Sequence, residues 1–199
     1  MGNDAQRRAA FAYNAASDFY DASPLGFWNY FGRKTIERLS LQNGSRVLDA
    51  CCGAGASALS AAELVGPKGK VIGIDIKKIE PLTKAFFIQG NIQDEEIINS
   101  ILKFSNSSVD VVLSDLSPNV SGNWDLDHAR QIDLTRTALK LSNKILKKDG
   151  KVVLKVFQGD MLNELIDELK KEFKKIIITK PNASRQTSSE IYLICIGKL

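Results

Sequence analysis

Three polar side chains stand where a folded chain would otherwise place apolar ones. Lys155 interrupts the apolar run Val152-Val153-Leu154-Lys155-Val156-Phe157. Asp115 closes another such run, in Leu113-Ser114-Asp115-Leu116-Ser117-Pro118-Asn119, and Glu190 opens a third, in Ser188-Ser189-Glu190-Ile191-Tyr192-Leu193. A lysine inside a buried strand is costly unless it is paired. The plain alternative is an edge-strand lysine whose amine reaches back to water. Two acids at strand ends favour pairing instead. An amine held neutral by burial can take a proton from a poor nucleophile such as a hydroxyl, and acids beside it oppose neutrality but can orient it.

These residues need a scaffold that brings strand ends together, and the chain alternates strand-like with helix-like stretches. Strands are expected at 46–50, 70–75, 85–89, 109–115, 151–157, 175–179 and 191–196. Helices are expected at 57–65, 94–103, 128–146 and 161–173, the third stopped by a turn at Lys148-Asp149-Gly150. Near-continuous apolar strands separated by helices imply an α/β fold whose mostly parallel sheet is covered on both faces. Ligands of such sheets bind beyond the C-terminal strand ends.

A second group of residues sits at those ends. Asp49-Ala50-Cys51-Cys52-Gly53-Ala54-Gly55-Ala56-Ser57 follows the first strand. A Gly-x-Gly turn between strand and helix lets backbone approach a ligand. The last glycine of the dinucleotide fingerprint is missing, because position 58 is Ala58. Asp75 ends the second strand about 20 residues on, where a carboxylate can accept from both hydroxyls of an adenosine ribose. As a bare residue it could equally be a solvated loop acid.

Composition sets outer bounds. The 199 residues suffice for one domain with a real core, expected to span 1–199 as a helical N-terminal cap (1–45) and a core (46–199). A net charge of +4 is compatible with a nucleic-acid partner without requiring one. Cys51, Cys52 and Cys195 form neither a disulfide framework nor a zinc pattern, so reduced thiols, a cytoplasmic location and no metal are expected. No apolar run reaches the length of a membrane span, and the polar start Met1 to Arg8 lacks a signal-peptide core. Residues 11–31 are rich in aromatics, from Phe11 and Tyr13 to Tyr30 and Phe31. They would either lie over the cleft as a lid or fill the edge of the core.

Val47-Leu48-Asp49-x-x-x-Gly53-x-Gly55 resembles the first motif of class I S-adenosylmethionine (SAM)-dependent methyltransferases. That resemblance implies a Rossmann-like, seven-stranded, mostly parallel sheet with an antiparallel last strand. It implies SAM as cofactor, leaving S-adenosylhomocysteine as product, with contacts from Asp49, Cys51, Gly53, Gly55, Ser57, Asp75, Ile76, Asn91, Ile92 and Asp115. Asn91 stands where many relatives carry aspartate, and its amide can still bond the adenine amino group.

From Val71 to Leu199 the chain is similar to the FtsJ/RrmJ-type ribosomal RNA ribose 2′-O-methyltransferases. The resemblance rests on Ile79-Glu80-Pro81-Leu82, Phe87-Ile88-Gln89-Gly90, Ser114 to Asn119, Asp127-His128-Ala129-Arg130, Lys155-Val156-Phe157-Gln158-Gly159, Lys180 to Arg185 and Ser189-Glu190-Ile191-Tyr192. That family acts through a Lys-Asp-Lys-Glu tetrad, whose last three members fall on Asp115, Lys155 and Glu190. The resemblance implies an RNA partner, ribosomal RNA or the large ribosomal subunit, with Lys180 and Arg185 on phosphates and the protein acting as a monomer.

The N-terminal third departs from that pattern. It lacks the family's basic opening segment, and Ser57 replaces a cofactor-contacting tryptophan. The first tetrad lysine would lie near Tyr30, and the nearest candidate is Lys34, about one helical turn later. Phe11 to Ser17, Phe19-Tyr20-Asp21, Leu25 to Asn29 and Val47 to Gly53 resemble UbiE-like small-molecule methyltransferases instead. The chain therefore reads as a splice of two class I methyltransferases, joined near Gly69 to Ile76. Two other functions follow from that reading: a small-molecule (quinone-like) methyltransferase, or a SAM-binding domain with weak or no turnover.

Overall fold

A computed structural model describes residues 27–79, 84–180 and 188–199. In chain order the elements are α1 (Phe27–Arg38), β1 (Arg46–Ala50), α2 (Ala56–Val65), β2 (Lys70–Asp75), β3 (Phe86–Gln89), α3 (Glu95–Phe104) and β4 (Val109–Ser114). They continue with α4 (Trp124–Ile145), β5 (Leu146–Phe157), α5 (Leu162–Lys170), β6 (Phe173–Thr179) and β7 (Glu190–Lys198). The seven strands form one sheet in the order β3-β2-β1-β4-β5-β7-β6. Neighbours from β3 to β5 pair in parallel, and β7 runs antiparallel to both β5 and β6. This is the expected seven-stranded α/β sheet, with β7 as its antiparallel last strand.

Strand periodicity divides the core in two. Leu48, Ile72, Val112, Val152, Leu154 and Val156 face one way, into a cluster completed by Ile98 and Ile101 of α3, Ile132 and Leu139 of α4, and Leu165 and Leu169 of α5. Val47, Val71, Val111, Leu113 and Val153 face the other way, against Ala58, Ala61, Ala62 and Val65 of α2 and Ile36 and Leu39 of α1 and its end. The alanines of α2 let that helix lie close to the strands. Lys151 reaches across to give a hydrogen bond from Nζ to the Leu39 carbonyl at 2.6 Å, which satisfies an orphan acceptor beyond α1.

Boundaries moved where capping and pairing overrode pattern. The helix expected from His128 starts at Trp124, because the Asn123 side chain accepts the Leu126 N–H at 3.3 Å. The turn expected at Lys148-Asp149-Gly150 is absorbed into β5. Val109 pairs with Leu146 but Val111 pairs with Lys151, so the intervening residues bulge out, with Asp149 at φ +61°. The described part of the N-terminal cap is helix α1, whose Ile36, with Leu39 just beyond it, joins the second core cluster. The aromatics before Phe27 lie outside the described residues.

Leu154 has no exposed surface and lies in the central part of the larger cluster. Leu154→Ala should cost about 2–5 kcal/mol, read as a lower urea midpoint with an unchanged slope. A loss below about 1 kcal/mol would contradict the packing described.

Candidate active site

The strand order reverses direction between β1 and β4, and the crevice beyond their C-terminal ends is where ligands of such sheets bind. Alternation places Asp49, Asp75, Asp115, Lys155, Glu190 and Tyr192 on the α2 side of the sheet, all at or near those strand ends. Asp115 extends β4 by one step, its N–H reaching the Ala50 carbonyl at 3.2 Å.

The cofactor loop is built by backbone. Cys51 and Cys52 donate their N–H groups to the Ile74 carbonyl, at 2.7 and 3.1 Å, which folds the loop back over β2. Gly53 and Gly55 have φ of +49° and +81°, a region that disfavours side chains, and Gly55 ends the turn as the N-cap of α2. A β-carbon on Gly53 would meet nothing within 4 Å, so that backbone faces open space. Asp75 is buried, and its two carboxylate oxygens accept from the N–H groups of Gly53 and Lys77, each at 3.0 Å. Each oxygen keeps a further lone pair for a ribose hydroxyl.

Asp49 is buried, with a backbone bond from Ala58 and one oxygen that has no partner among the described residues. Burial, reinforced by the nearby Asp115 and Asp75, pushes its carboxyl up from the usual 3.8 to about 7. Burial also pushes the Cys51 thiol up to about 12 and the Cys52 thiol up, so both are protonated, unreactive side chains near neutral pH. Three acids around one loop suit a cationic ligand, and SAM carries a sulfonium and an ammonium. The orphaned Asp49 oxygen and the open backbone at Gly53 fit that group.

Three of the four catalytic candidates, Asp115, Lys155 and Glu190, lie at neighbouring strand ends. Lys155 Nζ lies 3.2 Å from Asp115 Oδ1; the lysine side chain is 5% exposed and the aspartate 56%. Lys155 is opposite Tyr192 in the β5–β7 ladder, and Phe157 is opposite Glu190, so Glu190 is the half-buried diagonal neighbour of the lysine on the same face. Tyr192 donates its hydroxyl to Asp115 Oδ1 at 3.1 Å. Its place in the site was missed from sequence, although the alternation of β7 puts it on the same face as Glu190.

The remaining candidates are more scattered. Lys34 pairs with Glu37 at 2.9 Å on the exposed side of α1. Ile76 is 72% exposed beside Asp75, whereas Ile92 turns its side chain into the larger core cluster and offers only backbone to a ligand. Asn91 Oδ1 accepts the Gln93 N–H at 3.0 Å, and Ser57 lies half-buried in the first turn of α2. Lys180 is exposed and binds the Ser188 carbonyl at 2.7 Å. Arg185 lies outside the described residues.

The FtsJ-like methyltransferase family model matches residues 33–198. The chain belongs to the FtsJ-like methyltransferase family. It is 42% identical over 154 residues to the ribosomal RNA large subunit methyltransferase E of Nitrosopumilus maritimus, covering 77% of this chain and 78% of that one. Its identity to the protein of the same name from Methanocaldococcus jannaschii is 45%, over 77% of this chain and 65% of the relative. A solved Plasmodium falciparum protein, named as a ribosomal RNA methyltransferase, superposes with a TM-score of 0.74 at 27% identity, over 84% of this chain and 96% of that one. Aeropyrum pernix fibrillarin, solved with bound SAM, shares the fold at a TM-score of 0.56 and 14% identity, over 85% of this chain and 76% of that one.

The family match corrects one expectation. It runs without a break through Gly69 to Ile76, so the chain is not a splice of two methyltransferases. β2, which spans the supposed joint, pairs with β1 in continuous register from Arg46–Lys70 to Ala50–Ile74.

Because Asp49 ionises near pH 7 when folded and near 4 when unfolded, it weakens the ligand-free fold as pH rises between those values. Its contribution is neutral below pH 4 and fully unfavourable above pH 7, by a few kcal/mol at about 1.4 per pH unit. The stability of the protein minus that of Asp49→Asn, from urea melts, should therefore fall between pH 4 and 7. A pH-independent difference would rule out a buried, strained carboxylate.

Proposed function

We propose that this protein transfers the methyl group of SAM to a ribose 2′-hydroxyl of ribosomal RNA. The single observation that carries this reading is the buried Lys155 amine, paired with Asp115 and flanked by Glu190 beyond the Gly53–Gly55 loop. Its relatives named ribosomal RNA large subunit methyltransferase E support the RNA substrate. The chain spans 78% of the first of these but 65% and 60% of the next two, so its activity is proposed for the residues it shares with them.

Asp49, the backbone at Gly53 and Gly55, Ser57 and Asp75 would hold SAM, with Ile76 and the 90–92 turn beside the adenine. Bound SAM supplies an electrophilic methyl carbon on sulfur. Lys155 Nζ takes the proton of the 2′-hydroxyl as that oxygen attacks. Only an unprotonated amine has the lone pair that accepts this proton. Asp115 and Glu190 fix the direction of the amine, and Tyr192 donates to the same Asp115 oxygen that faces it, which keeps amine and hydroxyl in line. Lys34 is the proposed first tetrad lysine. It would have to leave Glu37 to join the others. Lys180 and Arg185 are proposed phosphate contacts, the large ribosomal subunit the proposed target and the cytoplasm the proposed location. No described helix is long and apolar enough to cross a membrane.

Lys155→Ala should lower labelled methyl transfer to ribosomal RNA by about 100- to 10,000-fold. The residual and wild-type products should both resist alkaline cleavage at the methylated nucleotide, because the blocked 2′-oxygen cannot attack the phosphate. Undiminished transfer in the variant, or label in alkali-sensitive positions, would overturn the reading.

A further inference from the structure

One exposed aromatic side chain near the site has no role in the chemistry above. Trp124 opens α4, and 45% of its surface is exposed. The ring is nonetheless fixed in a stack. It lies nearly parallel to His128, with centroids 5.7 Å apart at 11°, and to Phe157, at 6.0 Å and 22°. Phe157 is two residues past Lys155 in β5, about 7 Å along the strand, and opposite Glu190. The indole thus stacks on the strand end that carries Lys155 and Glu190.

The surroundings hold that stack in place. His128 is buried, and its Nε2 accepts the Met161 N–H at 3.3 Å. Its Nδ1 has no hydrogen-bond partner among the described residues. Gly159 completes the arrangement, because a β-carbon there would lie 2.7 Å from His128 ring atoms. From the other side, the buried Asp127 carboxylate gathers the N–H groups of Ser121 and Gly122 and the Ser121 hydroxyl, at 2.7 to 3.0 Å, and so ties down the loop before Trp124.

We propose that Trp124 is a stacking platform for a base of the substrate RNA, next to the nucleotide whose ribose faces Lys155. This rests on the RNA reading above. A flat, fixed and half-exposed indole suits a flat partner, and every base offers a π-face whatever its sequence. Stacking a neighbouring base would hold the acceptor ribose over the lysine without reading sequence. His128 and Gly159 are positioning residues that act through the indole.

The chain has two tryptophans, so Trp28→Phe leaves Trp124 as the sole indole reporter. In that variant, a short single-stranded RNA should quench tryptophan fluorescence saturably, and base-free polyphosphate should not. Separately, Trp124→Leu should raise KM for RNA by about 5- to 150-fold, the range expected for one lost stack. KM for SAM should stay unchanged, and Trp124→Phe should restore much of the loss. Gly159→Ala should act in the same direction by displacing His128. Equal quenching by polyphosphate, no quenching by RNA, or an unchanged KM for RNA in Trp124→Leu would overturn the platform. Those results with methyl transfer to RNA intact would leave the proposed function standing. No transfer to RNA by the unaltered protein would instead remove the function on which the platform rests.

Discussion

A lysine amine can remain at the end of a buried strand only if something shares its charge, and here Asp115 does so from 3.2 Å. Much of the site's arrangement can be read from that pair. Asp115 must leave β4 at the right height, which its bond to the Ala50 carbonyl secures. β5 must present residue 155 rather than 154 to the α2 face, which the ladder with β7 secures by setting Lys155 opposite Tyr192. A one-residue slip would send the amine into the larger apolar core instead, away from Asp115. Tyr192 then serves both strands, as the ladder partner of Lys155 and a hydrogen-bond donor to Asp115.

The other acids add a second constraint. Asp49, Asp75 and Asp115 lie at the ends of β1, β2 and β4, and the carboxyl of Asp49 is pushed up chiefly by its burial, with Asp115 and Asp75 adding to it. The same burial that weakens the ligand-free fold is what a cationic ligand would offset. Cys51 and Cys52 contribute backbone geometry rather than thiolate chemistry, since burial and the same acids keep them protonated.

The departure of the N-terminal third from the sequence pattern of its relatives invited a reading as a join of two proteins. The sheet shows why local sequence misleads there. β1 is held by β2 on one side and β4 on the other, and α1 and α2 share one apolar cluster with strands from both halves. A shared core of this kind tolerates changes in the loop Cys51–Ser57 and in helix surfaces while pairing and packing stay the same.

The order and type of the described elements were legible in the chain, because apolar strands and Gly-marked turns are local signals. So were Asp115, Lys155 and Glu190, since a charged residue in an apolar run stands out without any neighbour being known. Helix starts were less legible: the Asn123 cap and the absorption of the 148–150 turn depend on partners that pattern alone does not supply. The role of Tyr192, the unpaired oxygen of Asp49 and the stack of Trp124, His128 and Phe157 were decided by tertiary structure alone. Each depends on which residues face one another across the sheet or over its end. Sequence period shows that a side chain leaves the strand on a given face; only the packed fold decides what it meets there.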